Sequence, residues 1–308
     1  MYNISMVQEA YEESVVDGTV VKWDPDQMRK IQEHPCYSEK ASHTYGRAHL
    51  PVAPKCNIQC NYCLRKFDCV NESRPGVTSE VLDPQKALEK ITSIIAEHPY
   101  IKVVGIAGPG DPLANDETFE TIRLIHEKYP DLILCISTNG LMLPEKIDLL
   151  DKYGVSNVTV TMNAIDPDIA AKIYQYVDYG GKRYYSGNAM GKLLVEKQLE
   201  GIRLAVERKM LVKVNTVYIP DINESQILEI AKKISSMGVY IHNIIPLIAQ
   251  AKFAHLRVPT IEEKLAMQEQ CKPYVKQMSH CQRCRADAIG CLGKDINPCT
   301  GANKPKCI

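Results

Sequence analysis

Residues 56 to 63 read CNIQCNYC, three cysteines separated by four and then three positions. They stand close enough to grip one metal cluster, yet a tetrahedral zinc or a cubane iron–sulfur cluster takes four ligands. Either Cys69 in the following RKFDC is the fourth, or one metal is left open for something that is not protein. The flanking sequence sets the architecture around this loop. HLPVAP (49–54) reads as a strand leading into it, and from about residue 83 one rhythm repeats: an amphipathic helical stretch, a break at Gly or Pro, then a short apolar run.

The runs are IKVVGIAG (101–108), LILCISTN (132–139), VSNVTVTMNA (155–164), LVKVNTVYI (211–219) and VYIHNIIPLI (239–248). Each is too short and too evenly apolar for a surface helix and reads as a strand buried on both faces. Between them PQKALEKITSIIAEH, ETFETIRLIHEKY, PEKIDLLDKY and ESQILEIAKKISSM carry apolar residues at three and four spacings, the period of an amphipathic helix. Asn223 with Gln226, and Thr260 with Glu263, resemble capping boxes at helix starts. Six strands alternating with helices predict an α/β fold with a parallel sheet and right-handed crossovers, either open and doubly wound or a barrel. No GxGxxG follows the first strand, so a dinucleotide-binding reading lacks its phosphate-cradling turn. A helix is expected at about 260–278, ahead of SHCQRCRADAIGC.

A chain of 308 residues suits one α/β unit with extensions. Lys plus Arg equal Asp plus Glu at 37 each, so no global field draws it to nucleic acid or to an anionic membrane surface. The sequence shows no signal segment and no apolar run of the roughly 20 residues that span a bilayer, so a cytoplasmic protein is expected. In a reducing compartment its twelve cysteines read as metal or cluster ligands rather than disulfides.

A CxxxCxxC loop after the first of six βα strands resembles the radical S-adenosylmethionine superfamily, over about residues 50–248. The resemblance implies a partial (β/α)6 TIM-like barrel over 49–248, an N-terminal extension (1–48) covering its mouth, and a C-terminal helix and cysteine-rich segment (249–308). It also implies a 4Fe-4S cluster on Cys56, Cys60 and Cys63, its fourth iron left for S-adenosyl-L-methionine, which is cleaved to a 5′-deoxyadenosyl radical. By the same resemblance Tyr62 contacts the adenine, with a packing role as its alternative. AGPGDP (107–112) stands where the family holds the amino group, through Gly108 and Asp111, although the usual glycine pair and Glu are absent. Thr161 and Asn163 resemble ribose contacts, with core satisfaction as the alternative.

Nine cysteines remain. CQRC (281–284) is a pair that commonly shares one metal and needs a distant partner, and Cys135 lies within a strand. HPCYSEKASHTYGRAHLPVAPKCNIQCNYCLRKFDCVNESRPGV, GIAGPGDPLAN and CQRCRADAIG together are similar to the family that builds the iron–sulfur core of the nitrogenase cofactor, in its short form. This narrower resemblance implies two precursor 4Fe-4S clusters, one on Cys36, His49 and Cys135 and one on Cys69, Cys281 and Cys284. His49 is preferred to His43 because it adjoins the first strand, and imidazole is a weaker ligand than thiolate. Glu72 and Arg74 are candidates for proton transfer or transient cluster contact, or else a surface pair.

The implied reaction is methylation of one precursor cluster followed by fusion of both into an 8Fe-9S-C product. Implied partners are cluster-supplying proteins, a cofactor-accepting NifEN-type scaffold, a carrier protein and an electron donor such as ferredoxin. Cys291, Cys299 and Cys307 read as structural or free thiols, or as a delivery site. Two other readings stand beside this one: a radical enzyme with auxiliary clusters acting on a peptide or nucleotide, and a non-enzymatic iron–sulfur scaffold or electron carrier.

Overall fold

The computed structural model describes residues 14–16, 19–21 and 23–296. Cys299 and Cys307 lie outside the described residues. A short pair, β1 (Ser14–Val16) and β2 (Thr19–Val21), precedes helices α1 (Pro25–Glu33) and α2 (Glu39–Thr44). Next come β3 (Gly46–His49) and, inside the three-cysteine loop, β4 (Ile58–Cys60). Helix α3 (Pro84–Glu97) leads to β5 (Ile101–Ile106), α4 (Asp116–Lys128) to β6 (Ile133–Thr138), and α5 (Leu143–Lys152) to β7 (Val155–Thr161). Helix α6 (Pro167–Ile173) runs into the hairpin β8 (Tyr174–Tyr179) and β9 (Lys182–Tyr185). Helix α7 (Asn188–Glu207) leads to β10 (Leu211–Tyr218) and α8 (Glu224–Ser235) to β11 (Ile241–Pro246). Helix α9 (Ile261–Cys271) and the hairpin β12 (Ile289–Cys291) and β13 (Lys294–Asp295) follow. No helix among the described residues is long and apolar enough to cross a membrane.

Strands β3, β5, β6, β7, β10 and β11 are parallel neighbours in unbroken chain order. A doubly wound sheet reverses order at a switch point. Here there is no reversal, so every crossover turns the same way and the sheet curls into a partial barrel with its helices outside. The two faces of the strands differ. Val104, Ile106, Leu134, Ile136, Val158, Val160, Val212 and Val214 join the large apolar cluster that packs the helices on the sheet. The alternate residues, Cys135, Ser137, Thr159, Lys213 and Asn215, line a cavity instead of a packed interior.

The first strand is Gly46–His49, earlier than HLPVAP suggests. Pro51 and Pro54 lack the N–H a ladder needs, and pairing resumes only at an isolated bridge of Ala53 to Pro109. The last helix stops at Cys271, not near 278, because Pro273 cannot continue it. Thr260 and Glu263 do form a capping box. Asn223 does not: its side chain accepts from the Ile219 N–H and donates to the Asn163 and Val217 carbonyls.

Trp23, Met28, Ile31 and Tyr37 pack on Leu211, Tyr240 and Ile241, and the Tyr37 hydroxyl donates to the Leu211 carbonyl at 3.0 Å. These partners sit where β10 and β11 begin. Residues 23–45 thus cover the N-terminal ends of the strands, opposite the mouth at which the three-cysteine loop lies. The C-terminal segment spans the open side of the barrel. The Lys276 carbonyl accepts from the His242 N–H and the Met278 N–H donates back to the His242 carbonyl, on the free edge of β11. Further on, β12 pairs antiparallel with β3 on the other edge. CQRC lies between these two attachments.

Candidate iron–sulfur and radical site

Two adjoining cavities occupy the barrel. The first, about 430 Å³, is lined by Cys56, Cys60 and Cys63 with Arg65, Gly110, Asp111, Asn139 and Thr161, at the C-terminal ends of the strands. The second, about 610 Å³, lies deeper and is lined by Cys36, His49, Cys135, Cys281, Cys284 and Lys213, among others. Asn71, Glu72 and Ser137 line both and form the wall between them.

The loop of the first cavity is held from two sides. Strand β4 pairs with β8, which fixes Cys60, and the Asn139 amide donates to Asn57 Oδ1 at 2.7 Å and to Cys56 Sγ at 3.8 Å. Burial pushes the Cys56, Cys60 and Cys63 thiols up, so that their ionised forms are stable only with a cation at hand. Burial also works against the Arg65 charge, but the facing thiols outweigh it and hold its pKa above the usual value. Among the described residues no three donors sit within reach of a single metal ion. A cubane spreads its cysteines over separate irons, and a shared cavity lined by Cys56, Cys60 and Cys63, with Cys69 as a fourth thiol, fits that group. Cys56, Cys60 and Cys63 would hold such a cluster, which would supply one-electron reduction chemistry there.

The turn after β5 is tied to this loop through backbone. The Gly110 and Asp111 N–H groups donate to the Ala53 and Lys55 carbonyls, at 2.5 and 2.8 Å. A Cβ on Gly110 would lie 2.1 Å from the Lys55 carbonyl oxygen, so only glycine admits this approach. Asp111 is buried and accepts from Thr138 Oγ1, the Asn139 N–H and the Leu113 N–H. Burial raises its pKa against those hydrogen bonds.

Of the expected S-adenosylmethionine contacts, Asp111 and Thr161 line the first cavity, whereas Gly108, Tyr62 and Asn163 do not. Asn163 is fully engaged within the protein: its amide donates to the Tyr62 and Tyr174 hydroxyls at 2.7 and 3.0 Å, and its oxygen accepts from the Val217 N–H at 2.8 Å. It positions Tyr62 and has no donor left for a ribose. Strand β7 ends at Thr161, two residues before Asn163.

In the second cavity, His49 on β3, Gly105 on β5 and Cys135 on β6 stand in register. A Cβ on Gly105 would come within 2.7 Å of the His49 ring, so glycine makes the room for the imidazole. His49 Nδ1 is 2.9 Å from the Arg285 carbonyl, and burial depresses its pKa to about 4, which keeps the ring neutral and available to a metal. Burial pushes the Cys135 thiol up to about 12, and Cys36 acts in the same direction. His43 sits in the last turn of α2 and does not line the cavity.

Cys281 and Cys284 line the second cavity while Cys69 lines the first, although Arg74 joins the 69–74 loop to CQRC by donating its N–H to the Cys284 carbonyl at 3.2 Å. Glu72 is half-buried on the dividing wall and accepts from Asn215 Nδ2 at 3.0 Å; desolvation raises its pKa. Arg74 is half exposed and does not line either cavity.

Sequence reasoning passed over Arg47 and Lys213. Arg47 is buried and donates to Asp295, to the Gly290 carbonyl and to Cys284 Sγ. Their signal was present: charged or polar residues at alternate positions of apolar runs, as in Lys213-x-Asn215 and Cys135-x-Ser137. It also missed the β8–β9 hairpin, announced by the paired Gly180 and Gly181 between tyrosine-rich runs.

Residues 50–234 match the Radical SAM superfamily model. The FeMo cofactor biosynthesis protein NifB of Methanocaldococcus infernus is 49% identical over 264 residues, covering 85% of this chain and 86% of that protein. The chain belongs to the NifB family of radical SAM proteins. NifB of Klebsiella pneumoniae is likewise 49% identical, over 273 residues, and there the chain spans only 58% of its relative's length. For the fold alone, a radical SAM methyltransferase from Sphaerobacter thermophilus superposes with a TM-score of 0.51 at 17% identity, over 76% of this chain and 64% of that one.

Proposed function

We propose that the protein is a cytoplasmic maturase that methylates one of two 4Fe-4S clusters with S-adenosylmethionine and fuses the pair into the 8Fe-9S-C precursor of the nitrogenase cofactor. The carrying observation is the wall of Asn71, Glu72 and Ser137 shared by the three-cysteine cavity and the cavity of Cys36, His49 and Cys135. A radical generated on one side faces cargo on the other without crossing solvent. In this reading Cys36, His49 and Cys135 hold one cargo cluster, and Cys281 and Cys284 hold the second, joined by Cys69 from across the wall. Each set leaves an iron unfilled by protein, as fusion requires.

The chain's own residues bind, orient and exclude water, while the reacting groups are those of the cargo and S-adenosylmethionine. Glu72, whose carboxyl burial favours in its protonated form, is placed to move a proton at the wall. A ferredoxin-type electron donor, cluster-supplying proteins, a carrier and a cofactor-accepting scaffold are the partners this chemistry calls for. Anaerobic incubation of reconstituted protein with S-adenosylmethionine and dithionite tests the reading. Formation of both S-adenosylhomocysteine and 5′-deoxyadenosine is expected; absence of both would overturn it.

A further inference from the structure

Lys213 is a lysine inside a strand whose every residue is buried. It is 6% exposed and lines the second cavity. The other charged groups there are answered by the protein itself. Arg47 pairs with Asp295, Arg283 donates to the Pro246 carbonyl, and Glu72 accepts from Asn215. The Lys213 ammonium has no hydrogen-bond or ion-pair partner among the described residues; Cys36, Glu72, Cys281 and Cys135 act on it only through space. An ammonium that faces a cavity with no hydrogen-bond partner from the protein is left to be neutralised by whatever fills that cavity. Thiolate-ligated iron–sulfur clusters are anions whose bridging sulfides accept hydrogen bonds, so they match the ammonium in both charge and bonding.

We infer that Lys213 is the cavity's anchor for anionic iron–sulfur cargo, its ammonium donating to cluster sulfide at the point where the two cysteine sets face each other. This rests on the cargo reading of the second cavity. Lys213 contributes retention and placement, and it ligates no iron.

The test compares the full wild-type chain with Lys213→Met and Lys213→Arg, each metal-free and after anaerobic reconstitution with ferrous iron and sulfide. Iron held beyond one cluster is titrated against a chelator. Lys213→Met is expected to weaken that retention by about 10- to 100-fold, the usual effect of removing an outer partner of a metal site, whereas Lys213→Arg keeps it. Without metal, both variants are expected to show the circular dichroism of the wild type, so that lost retention is not lost structure. Unchanged retention in Lys213→Met, or equal loss in both variants, would each overturn the assignment of Lys213. A wild-type chain that holds no iron beyond one cluster would instead overturn the cargo reading, and this inference with it.

Discussion

The buried Arg47 guanidinium donates a hydrogen bond to Cys284 Sγ at 3.3 Å. Through its further bonds to Asp295 and the Gly290 carbonyl, Arg47 fastens the β12–β13 hairpin and a candidate cargo ligand to the first barrel strand. Replacing it with Met leaves Asp295 with only the half-exposed Arg74 at 4.0 Å, and stability is expected to fall by about 3 kcal/mol, read from urea denaturation of the metal-free protein. Burial already pushes the Cys284 thiol up to about 11, with Arg47 opposing. Alkylation of Cys284 at pH 8 should therefore be slower in Arg47→Met, provided the fold is retained; a faster rate would show that the hairpin has come loose.

Gly110→Ala sets a methyl group against the Lys55 carbonyl, where neither backbone can yield cheaply. The turn carrying Asp111 would then separate from the cysteine loop. The expected outcome is a protein that still takes up iron but forms 5′-deoxyadenosine at least about tenfold more slowly. Normal turnover in this variant would mean that the contact between turn and loop is dispensable.

Asn163→Ala removes the amide shared by Tyr62, Tyr174 and the Val217 N–H. Leaving these groups unsatisfied should cost about 3 kcal/mol. Because Tyr62 is no longer held, the KM for S-adenosylmethionine should rise as well. A stability loss with KM unchanged would confine Asn163 to the core.

Cys69 and CQRC line different cavities, so their cooperation on one cluster makes a sharp prediction for a double variant. If they share it, Cys69→Ala, Cys281→Ala and the double substitution should lose the same amount of iron. Additive losses would assign Cys69 to the radical side.

His242 is buried with Nε2 2.9 Å from Thr216 Oγ1, and desolvation depresses its pKa from 6.5 to about 3. The unfolded chain therefore takes up the proton first as pH falls. The stabilisation is complete above pH 6.5 and declines through the window down to about pH 3, amounting to about 2 kcal/mol lost by pH 5. Urea midpoints measured between pH 7 and 5 should fall in the metal-free protein and fall less in His242→Gln. Buried His34 and half-buried His49 are shifted the same way, so the slope in His242→Gln should not vanish.

Much of this was legible in one dimension. The six parallel strands follow from apolar runs of strand length, and the three-cysteine loop stands on β4 just past the first of them. Sequence could not show where the inner face of the barrel is hollow. Lys213 and Asn215 sit in a run whose residues are all buried, and burial looks the same from sequence whether it is against a core or against a cavity. Nor could it show that residues 23–45 cap the starts of the strands, because the contacts of Tyr37 with Leu211 and Tyr240 join positions far apart in the chain. Cys69 is the instructive case. Its place in the sequence suits either cluster, and it lines the first cavity while Cys281 and Cys284 line the second, so the double variant decides between them.

The segment bearing CQRC is bonded to β11 at one end and to β3 at the other, so it serves as the seam of an otherwise incomplete cylinder. Iron held by Cys281 and Cys284 would cross-link that seam to the interior. Loading and closure would then be one linked equilibrium, in which whatever metal the two cysteines hold favours the closed cylinder.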